Sequence, residues 1–264
     1  MTILVTNDDG YKSAGINVLY RAAKKVFGSD VVVVAPDKLQ SSSGMSFTFH
    51  KPLRVEKLEY EDMPCISVSG TPADCVFMAL NHLFKDKITM VLSGINTGMN
   101  AGLMAVYSSG TVSAAIFSSI SNIPSVAFSK CFLHYVDESG AEAKEAMESL
   151  HSRLVSILTK IKEHGFPSEI EMLNVNFPVN VKPNTPIKVV KTDRKVFEDI
   201  VKENKDPHGK EYYWLYSTLK KDLEKDGDVR ALLDGSITIT PIVLSVHDSE
   251  KITNIRSMFY DAKN

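Results

Sequence analysis

Five apolar residues in a row, Val31-Val32-Val33-Val34-Ala35, precede a proline. Side chains alternate between the two faces of a strand, so this segment is apolar on both faces. Such strands lie in parallel sheets that are covered by helices on both sides. A second short apolar strand, residues 3–5, is separated from the first by apolar residues at helical spacing over 16–26. The pattern predicts a strand–helix–strand unit.

The same alternation continues through the first half of the chain. We expect strands at 88–93 and 126–128, with helices beginning at Thr71-Pro72 and near Ser109. The first of these helices should continue to about Phe84. Strands alternating with helices indicate an α/β fold, here a Rossmann-like, doubly wound and mostly parallel sheet.

The second half has a different pattern. A long helix is predicted from Ala141 to Glu163, a strand at 170–175, another at 236–241 and a terminal helix near 248–260. The segment 195–230 is rich in charge and contains the turn signal Asp206-Pro207-His208-Gly209. We interpret it as a protruding arm, a β-hairpin. The chain is therefore divided into a catalytic core, residues 1–180, and a C-terminal extension, residues 181–264.

Charge and cysteine content exclude several classes of protein. A formal net charge of −2 argues against nucleic-acid binding. The three cysteines are far apart and have no zinc-site spacing, so a reducing compartment is expected. No basic leader or long apolar run is present, which predicts a cytoplasmic protein without a membrane span. Neither GxxxxGK[ST] nor GxGxxG occurs.

Polar loops follow three of the predicted strands. They carry Asp8-Asp9, Ser41 and Asn96. Ligands of parallel α/β sheets bind at the carboxyl ends of the strands, so adjacent strands would bring these side chains together. Two neighbouring carboxylates with a hydroxyl and an amide oxygen suit Mg²⁺ or Mn²⁺. The alternative is that the aspartates only cap a helix.

Ser109-Gly110-Thr111 precedes an apolar helix. Backbone N–H groups and hydroxyls at a helix start can bind a phosphate, and the same residues also serve as an ordinary helix cap. Both interpretations are open for this short segment.

The loops together resemble the SurE family, the stationary-phase survival proteins, which are 5′/3′-nucleotidases. The resemblance covers nearly the whole chain, in family order. The matching blocks are Thr6-Asn7-Asp8-Asp9-Gly10, Val34-Ala35-Pro36-Asp37 with Ser41, Gly70-Thr71-Pro72-Ala73-Asp74, Ser93-Gly94-Ile95-Asn96 with Gly98 and Asn100, Ser109-Gly110-Thr111-Val112, Asn174-Val175-Asn176-Phe177-Pro178, Asp206-Pro207 with Gly209, and Ile237-Thr238-Ile239-Thr240-Pro241.

The resemblance implies a set of roles. Its metal ligands would be Asp8, Asp9, Ser41 and Asn96, holding one Mg²⁺ or Mn²⁺ per subunit, and phosphate would contact Asn96, Ser109, Gly110 and Thr111. Substrates would be nucleoside 5′- and 3′-monophosphates. The arm would be exchanged between subunits, giving a homodimer or homotetramer.

We hypothesise in-line attack on phosphorus by a metal-bound water, with Asp8 or Asp9 accepting the proton. A covalent aspartyl phosphate is disfavoured because the metal needs both carboxylates. Two alternatives are a broader phosphatase or exopolyphosphatase and a nucleotide-binding module without turnover.

Overall fold

The computed structural model describes residues 2–132, 134, 136–138, 140–167, 169–244, 252 and 256. Within these ranges the strands are β1 (Thr2–Thr6), β2 (Val31–Pro36), β3 (Val55–Tyr60), β4 (Met63–Val68), β5 (Ile88–Thr97), β6 (Ser125–Lys130), β7 (Met172–Phe177), β8 (Ile187–Val189), β9 (Phe197–Lys205), β10 (Glu211–Leu219) and β11 (Ile237–Ile242). The helices are α1 (Ala14–Phe27), α2 (Pro72–Met78), α3 (Leu103–Ser108), α4 (Gly110–Ile120), α5 (Ala141–Glu148), α6 (His151–His164) and α7 (Asp228–Leu233).

Nine of the described strands form one sheet in the order β3-β4-β2-β1-β5-β6-β7-β11-β8. The six strands from β4 to β7 are parallel, whereas β3 and β11 pair antiparallel with β4 and β7. The predicted α/β class with a mostly parallel sheet is confirmed. The three strands that precede the polar loops, β2, β1 and β5, are neighbours.

Both faces of this sheet are covered, as the apolar strands predict. Ile3 and Val5 point into a core formed with α1, α5 and α6, while Leu4 between them points into a core with α2 and α4. Val33 and Val34 divide between the same two cores. Full burial of each such side chain stabilises the fold by about 1.5–3 kcal/mol.

The start of α2 follows the sequence signal. Thr71 Oγ1 accepts a hydrogen bond from the backbone N–H of Asp74 at 3.1 Å, and Asp74 Oδ2 accepts one from the N–H of Thr71 at 2.9 Å. This is a capping box, with Pro72 in the first turn. The helix ends at Met78 and a π-helical turn, residues 79–83, completes the predicted length.

The prediction of one long helix over 141–163 is wrong in one respect, because this segment forms two helices, α5 and α6. Ser149 Oγ donates a hydrogen bond to the carbonyl of Ala146 at 2.7 Å, and the N–H of Leu150 bonds Met147 at 3.0 Å. A serine side chain that competes for the backbone in this way breaks the regular ladder. Leu150, which lies between the two helices, is completely buried.

The C-terminal part contributes to the sheet and to the arm. Strands β8 and β11 complete the sheet next to β7. Strands β9 and β10 form the predicted hairpin, which pairs as a separate two-stranded sheet. The predicted terminal helix lies, apart from Ile252 and Arg256, outside the described residues. The division at residue 180 stays a prediction. No helix in the described ranges is long and apolar enough to cross a membrane.

Candidate active site

Asp8 and Asp9 lie in the tight turn between β1 and α1. The side chain of Asn7 holds this turn by donating hydrogen bonds to the carbonyl of Gly10 at 3.0 Å and to Ser13 Oγ at 2.8 Å. Ser13 in turn caps α1. Gly10 has φ +88°, a conformation that side chains disfavour. The turn is therefore fixed by residues on both sides of the aspartates.

Asp8 is buried and Asp9 is half-buried. Burial raises the pKa of Asp8, of which 4% is exposed, and the hydrogen bond from the Thr111 hydroxyl opposes that rise. The pKa of Asp9 is raised well above its ordinary value, first by burial and then by the negative charge of Asp8. Among the described residues, no basic side chain forms an ion pair with either carboxylate. The turn thus concentrates uncompensated negative charge.

The serine loop, residues 40–44, packs against this turn. The N–H of Gln40 donates to the carbonyl of Asp8 at 2.8 Å, and the N–H of Gly44 donates to the carbonyl of Ser108 at 3.1 Å. Ser41, the expected ligand, has an exposed side chain next to the first of these bonds. The hydroxyl of Ser43 is buried and has no hydrogen-bond partner in the described structure.

The first residues of helix α4 lie against the side chain of Asp8. A side-chain carbon on Gly110 would lie 2.7 Å from Ser43 Oγ and 2.8 Å from Asp8 Cβ, so only glycine permits this approach. The Thr111 hydroxyl and the N–H groups of Gly110 and Thr111 interact with the Asp8 carboxylate. Ser109 Oγ accepts from the N–H of Val112 at 3.1 Å and caps the helix. A phosphate at this helix start would share its donors with Asp8.

The asparagine loop, residues 96–100, reaches the turn from β5. The N–H of Thr97 donates to Asp9 Oδ2 at 3.1 Å. Asn96 Nδ2 donates one of its two hydrogens to the carbonyl of Gly98 at 2.9 Å, which orients the amide with Oδ1 as the candidate ligand atom and its second N–H as a donor for phosphate. The N–H of Gly98 donates to the carbonyl of Lys130 at 2.9 Å. This loop therefore holds both Asn96 and Asp9.

The donor set fits a hard divalent cation. In the described structure the candidate ligands are all oxygen atoms: two adjacent carboxylates without an ion-pair partner, the buried Ser43 hydroxyl without a hydrogen-bond partner, and the amide oxygen of Asn96. Across the described ranges, no three His, Cys, Asp or Glu side chains come together in a way that could hold a metal. A cation here would complete its shell with neutral oxygens.

The structure brings together the four sequence-predicted loops, and it shows three features that the sequence did not predict. These are the N–H of Thr97 on Asp9, the orphaned hydroxyl of Ser43 and the close packing of Gly110 on Asp8. Nothing in the sequence marks Thr97, because its contribution is a backbone group. The serine-rich loop was the available signal for Ser43.

Comparison with known proteins identifies the family of the chain. Residues 3–199 match the family model described as survival protein SurE. A protein of Hyperthermus butylicus named 5′-nucleotidase SurE is 35% identical, over 99% of this chain and 93% of its own length. One of Methanocella arvoryzae with the same name is 34% identical, over 98% of both chains.

A solved structure is also similar. The SurE protein from Aquifex aeolicus superposes with a TM-score of 0.82 and is 35% identical, over 98% of this chain and all of that one. The family model covers most of the chain and the relatives are similar over nearly its full length. The chain therefore belongs to the SurE family.

Proposed function

We propose that this protein is a metal-dependent phosphomonoesterase that hydrolyses nucleoside 5′-monophosphates, and 3′-monophosphates, to nucleoside and phosphate. The observation that carries the proposal is the pair of adjacent carboxylates, buried Asp8 and half-buried Asp9, which contacts the start of α4 and the asparagine loop and has no ion-pair partner among the described residues. The relatives from H. butylicus and M. arvoryzae carry the name 5′-nucleotidase, which supports a nucleotide substrate.

In this proposal Asp8, Asp9, Ser41 and Asn96 hold one Mg²⁺ or Mn²⁺ ion. Bound there, the cation would neutralise phosphate charge and lower the pKa of a water molecule. The choice of these metals follows from the all-oxygen donor set. The hydroxyl of Ser43, which has no hydrogen-bond partner in the described structure and lies beside Gly110 as Asp8 does, is a further oxygen that could serve as a ligand.

The protein's own groups orient the phosphate and move the proton. Asn96 and the Ser109-Gly110-Thr111 turn contribute donors for the phosphate oxygens, at a helix start whose dipole favours negative charge. The attacking water transfers its proton to Asp8 or Asp9, the two carboxylates within reach. Thr97 and Thr111 restrain these carboxylates so that their free oxygens keep a fixed direction.

The hairpin is proposed as the oligomerisation arm. Strands β9 and β10 pair in register from Phe197 with Leu219 to Lys205 with Glu211, and every residue of β10 is exposed. An isolated two-stranded hairpin is marginal in water, and this one exposes Trp214 and Leu215 at 63% and 79%. Exchange of the arm between subunits of a homodimer or homotetramer would bury these side chains.

The three cysteines, Cys65, Cys75 and Cys131, are buried free thiols. This state is compatible with the proposed cytoplasmic location, where thiols remain reduced.

A phosphate-release assay tests the proposed activity. AMP, GMP, a 3′-nucleotide, a sugar phosphate and tripolyphosphate are supplied with Mn²⁺ or Mg²⁺, and each reaction is repeated with excess EDTA. We expect EDTA-sensitive release that is fastest with the nucleotides. Faster phosphate release from tripolyphosphate or the sugar phosphate would contradict the proposal and indicate a broader phosphatase. Saturable nucleotide binding without phosphate release would contradict it and indicate a nucleotide-binding module.

A further inference from the structure

Two buried asparagines on β7, Asn174 and Asn176, have no part in the reaction described above. They are two residues apart, so both side chains lie on the same face of the sheet. Both are completely buried, and most buried amides form hydrogen bonds; in the described structure Asn174 does so through Nδ2 only, whereas Asn176 uses both Oδ1 and Nδ2. Among the described residues, their side-chain hydrogen bonds all go to Asn100, at the end of the asparagine loop.

The side chains of Asn174 and Asn176 form hydrogen bonds with the N–H and the carbonyl group of Asn100. The N–H of Asn100 donates to Asn176 Oδ1 at 2.8 Å, and its carbonyl accepts from Asn174 Nδ2 at 2.8 Å and from Asn176 Nδ2 at 3.4 Å. Asn100 Nδ2 donates to Ser129 Oγ on β6 at 2.8 Å. Four hydrogen bonds from two strands therefore fix the position of one loop residue.

The fixed residue lies close to the ligand atoms. Two residues before it, Gly98 donates its N–H to Lys130 and accepts the amide NH₂ of Asn96. One residue further back, the N–H of Thr97 holds Asp9. A shift of Asn100 would therefore be transmitted through a short, hydrogen-bonded segment to Asn96 Oδ1 and to the Asp9 carboxylate.

We propose that Asn176, together with Asn174 and Ser129, positions the asparagine loop and so sets the geometry of Asn96 and Asp9. They are positioning residues, since none of them contacts the proposed metal or phosphate. The inference rests on the proposed function for its catalytic consequence. Its structural part, control of the loop by Asn176, is independent of any activity.

Asn176→Ala tests the proposal, and Thr238→Ala is its matched control. Thr238 is the register partner of Asn176 on β11, is equally buried, and its hydroxyl has no hydrogen-bond partner in the described structure. Both variants truncate a buried polar side chain at the same level of the sheet. In the described structure Asn176→Ala removes side-chain hydrogen bonds to the asparagine loop, whereas Thr238→Ala removes none.

Three measurements are made well below the unfolding temperature of each variant. In metal-free protein, hydrogen exchange of the amides in 96–102 should be about 10-fold faster in Asn176→Ala and unchanged in Thr238→Ala. The Kd for Mn²⁺ should rise by about 10-fold or more. The kcat for AMP should fall by about 10- to 100-fold while KM stays within about 3-fold.

Equal exchange, Mn²⁺ affinity and kcat in the two variants would overturn the proposal. If Asn176→Ala fails to fold, Ser129→Ala replaces it, because it removes only the acceptor for Asn100 Nδ2, and changes in the same direction are expected. Failure of the proposed function is separate: it would show as wild-type protein without metal-dependent phosphate release, and the exchange comparison would still decide the role of Asn176.

Discussion

The backbone N–H of Thr97 donates a 3.1 Å hydrogen bond to Asp9 Oδ2 although the two residues are 88 positions apart in the chain. Because β1 and β5 are neighbours, the end of one strand and the turn after the other meet at the same edge of the sheet. The bond fixes the direction of a carboxylate whose negative charge is not balanced by an ion pair in the described structure.

Asp8→Asn should lower phosphate release by at least about 100-fold, because it removes a charged oxygen ligand from the proposed site. The metal-free variant should unfold at the same temperature as the metal-free wild type or higher, since a buried and uncompensated charge is lost. Assays with AMP and thermal melts in EDTA check both effects. Glu59→Gln, a charge change on exposed β3, is the control, and wild-type turnover in Asp8→Asn would refute the assignment.

Gly110→Ala should damage the site even though alanine is the better helix former. The added carbon would overlap Ser43 Oγ and Asp8 Cβ, so we expect a loss of stability of about 1–3 kcal/mol and at least a 10-fold loss of kcat. Urea unfolding and phosphate release measure the two losses. Ile120→Ala, on the exposed last turn of the same helix, should leave kcat unchanged. Full activity of Gly110→Ala would mean that the close packing on Asp8 is dispensable.

Asp228 should make stability fall as pH rises. Burial raises its pKa from 3.8 to about 6 in the folded chain, so between these values the folded protein binds a proton that the unfolded chain has lost. The free energy of unfolding should therefore decrease from pH 4 to pH 6 by at most about 3 kcal/mol from this residue. Urea unfolding of wild type and Asp228→Asn across this range isolates the contribution, which should vanish in the variant. Parallel pH curves for the two proteins would contradict the prediction.

Leu215→Lys should dissociate the oligomer, because it places a charge where the exposed hairpin is proposed to bury an apolar side chain. Light scattering after size exclusion should show a shift toward the monomer mass. Ser217→Lys adds the same charge on the same face of β10 without removing apolar surface, and it should keep the wild-type mass. A monomeric wild type would exclude arm exchange under these conditions.

Local sequence signals predicted most of the fold. The continuous apolar strand at residues 31–35 required helices on both faces of the sheet, and Thr71 with Asp74 marked the start of α2. The break after α5 could not be predicted, since Ser149 is compatible with a helix until its side chain is seen to bond the carbonyl of Ala146. Leu150, at this break, is packed in the core.

The sequence could indicate those residues of the candidate site that act through their side chains. It could not indicate those that act through their backbone. Asp8, Asp9 and Asn96 are identifiable by residue type and by the strands that they follow. The N–H of Thr97 and the bare Cα of Gly110 act through position alone, which depends on the packing of β5 and α4 against the first turn. Asn174 and Asn176 belonged to a recognisable motif, but their partner Asn100 is 74 and 76 positions away.

The placement of β11 between β7 and β8 has a consequence for how the chain is made. Among the described strands, β8 pairs only with β11, although it is translated about 50 residues earlier. Until β11 has been synthesised, this edge of β7 is unpaired and β8 lacks the strand with which it pairs. Among the described strands, the sheet can therefore be completed on this side only after β11 has been synthesised, and a chain truncated before residue 237 would leave the edge of β7 unpaired.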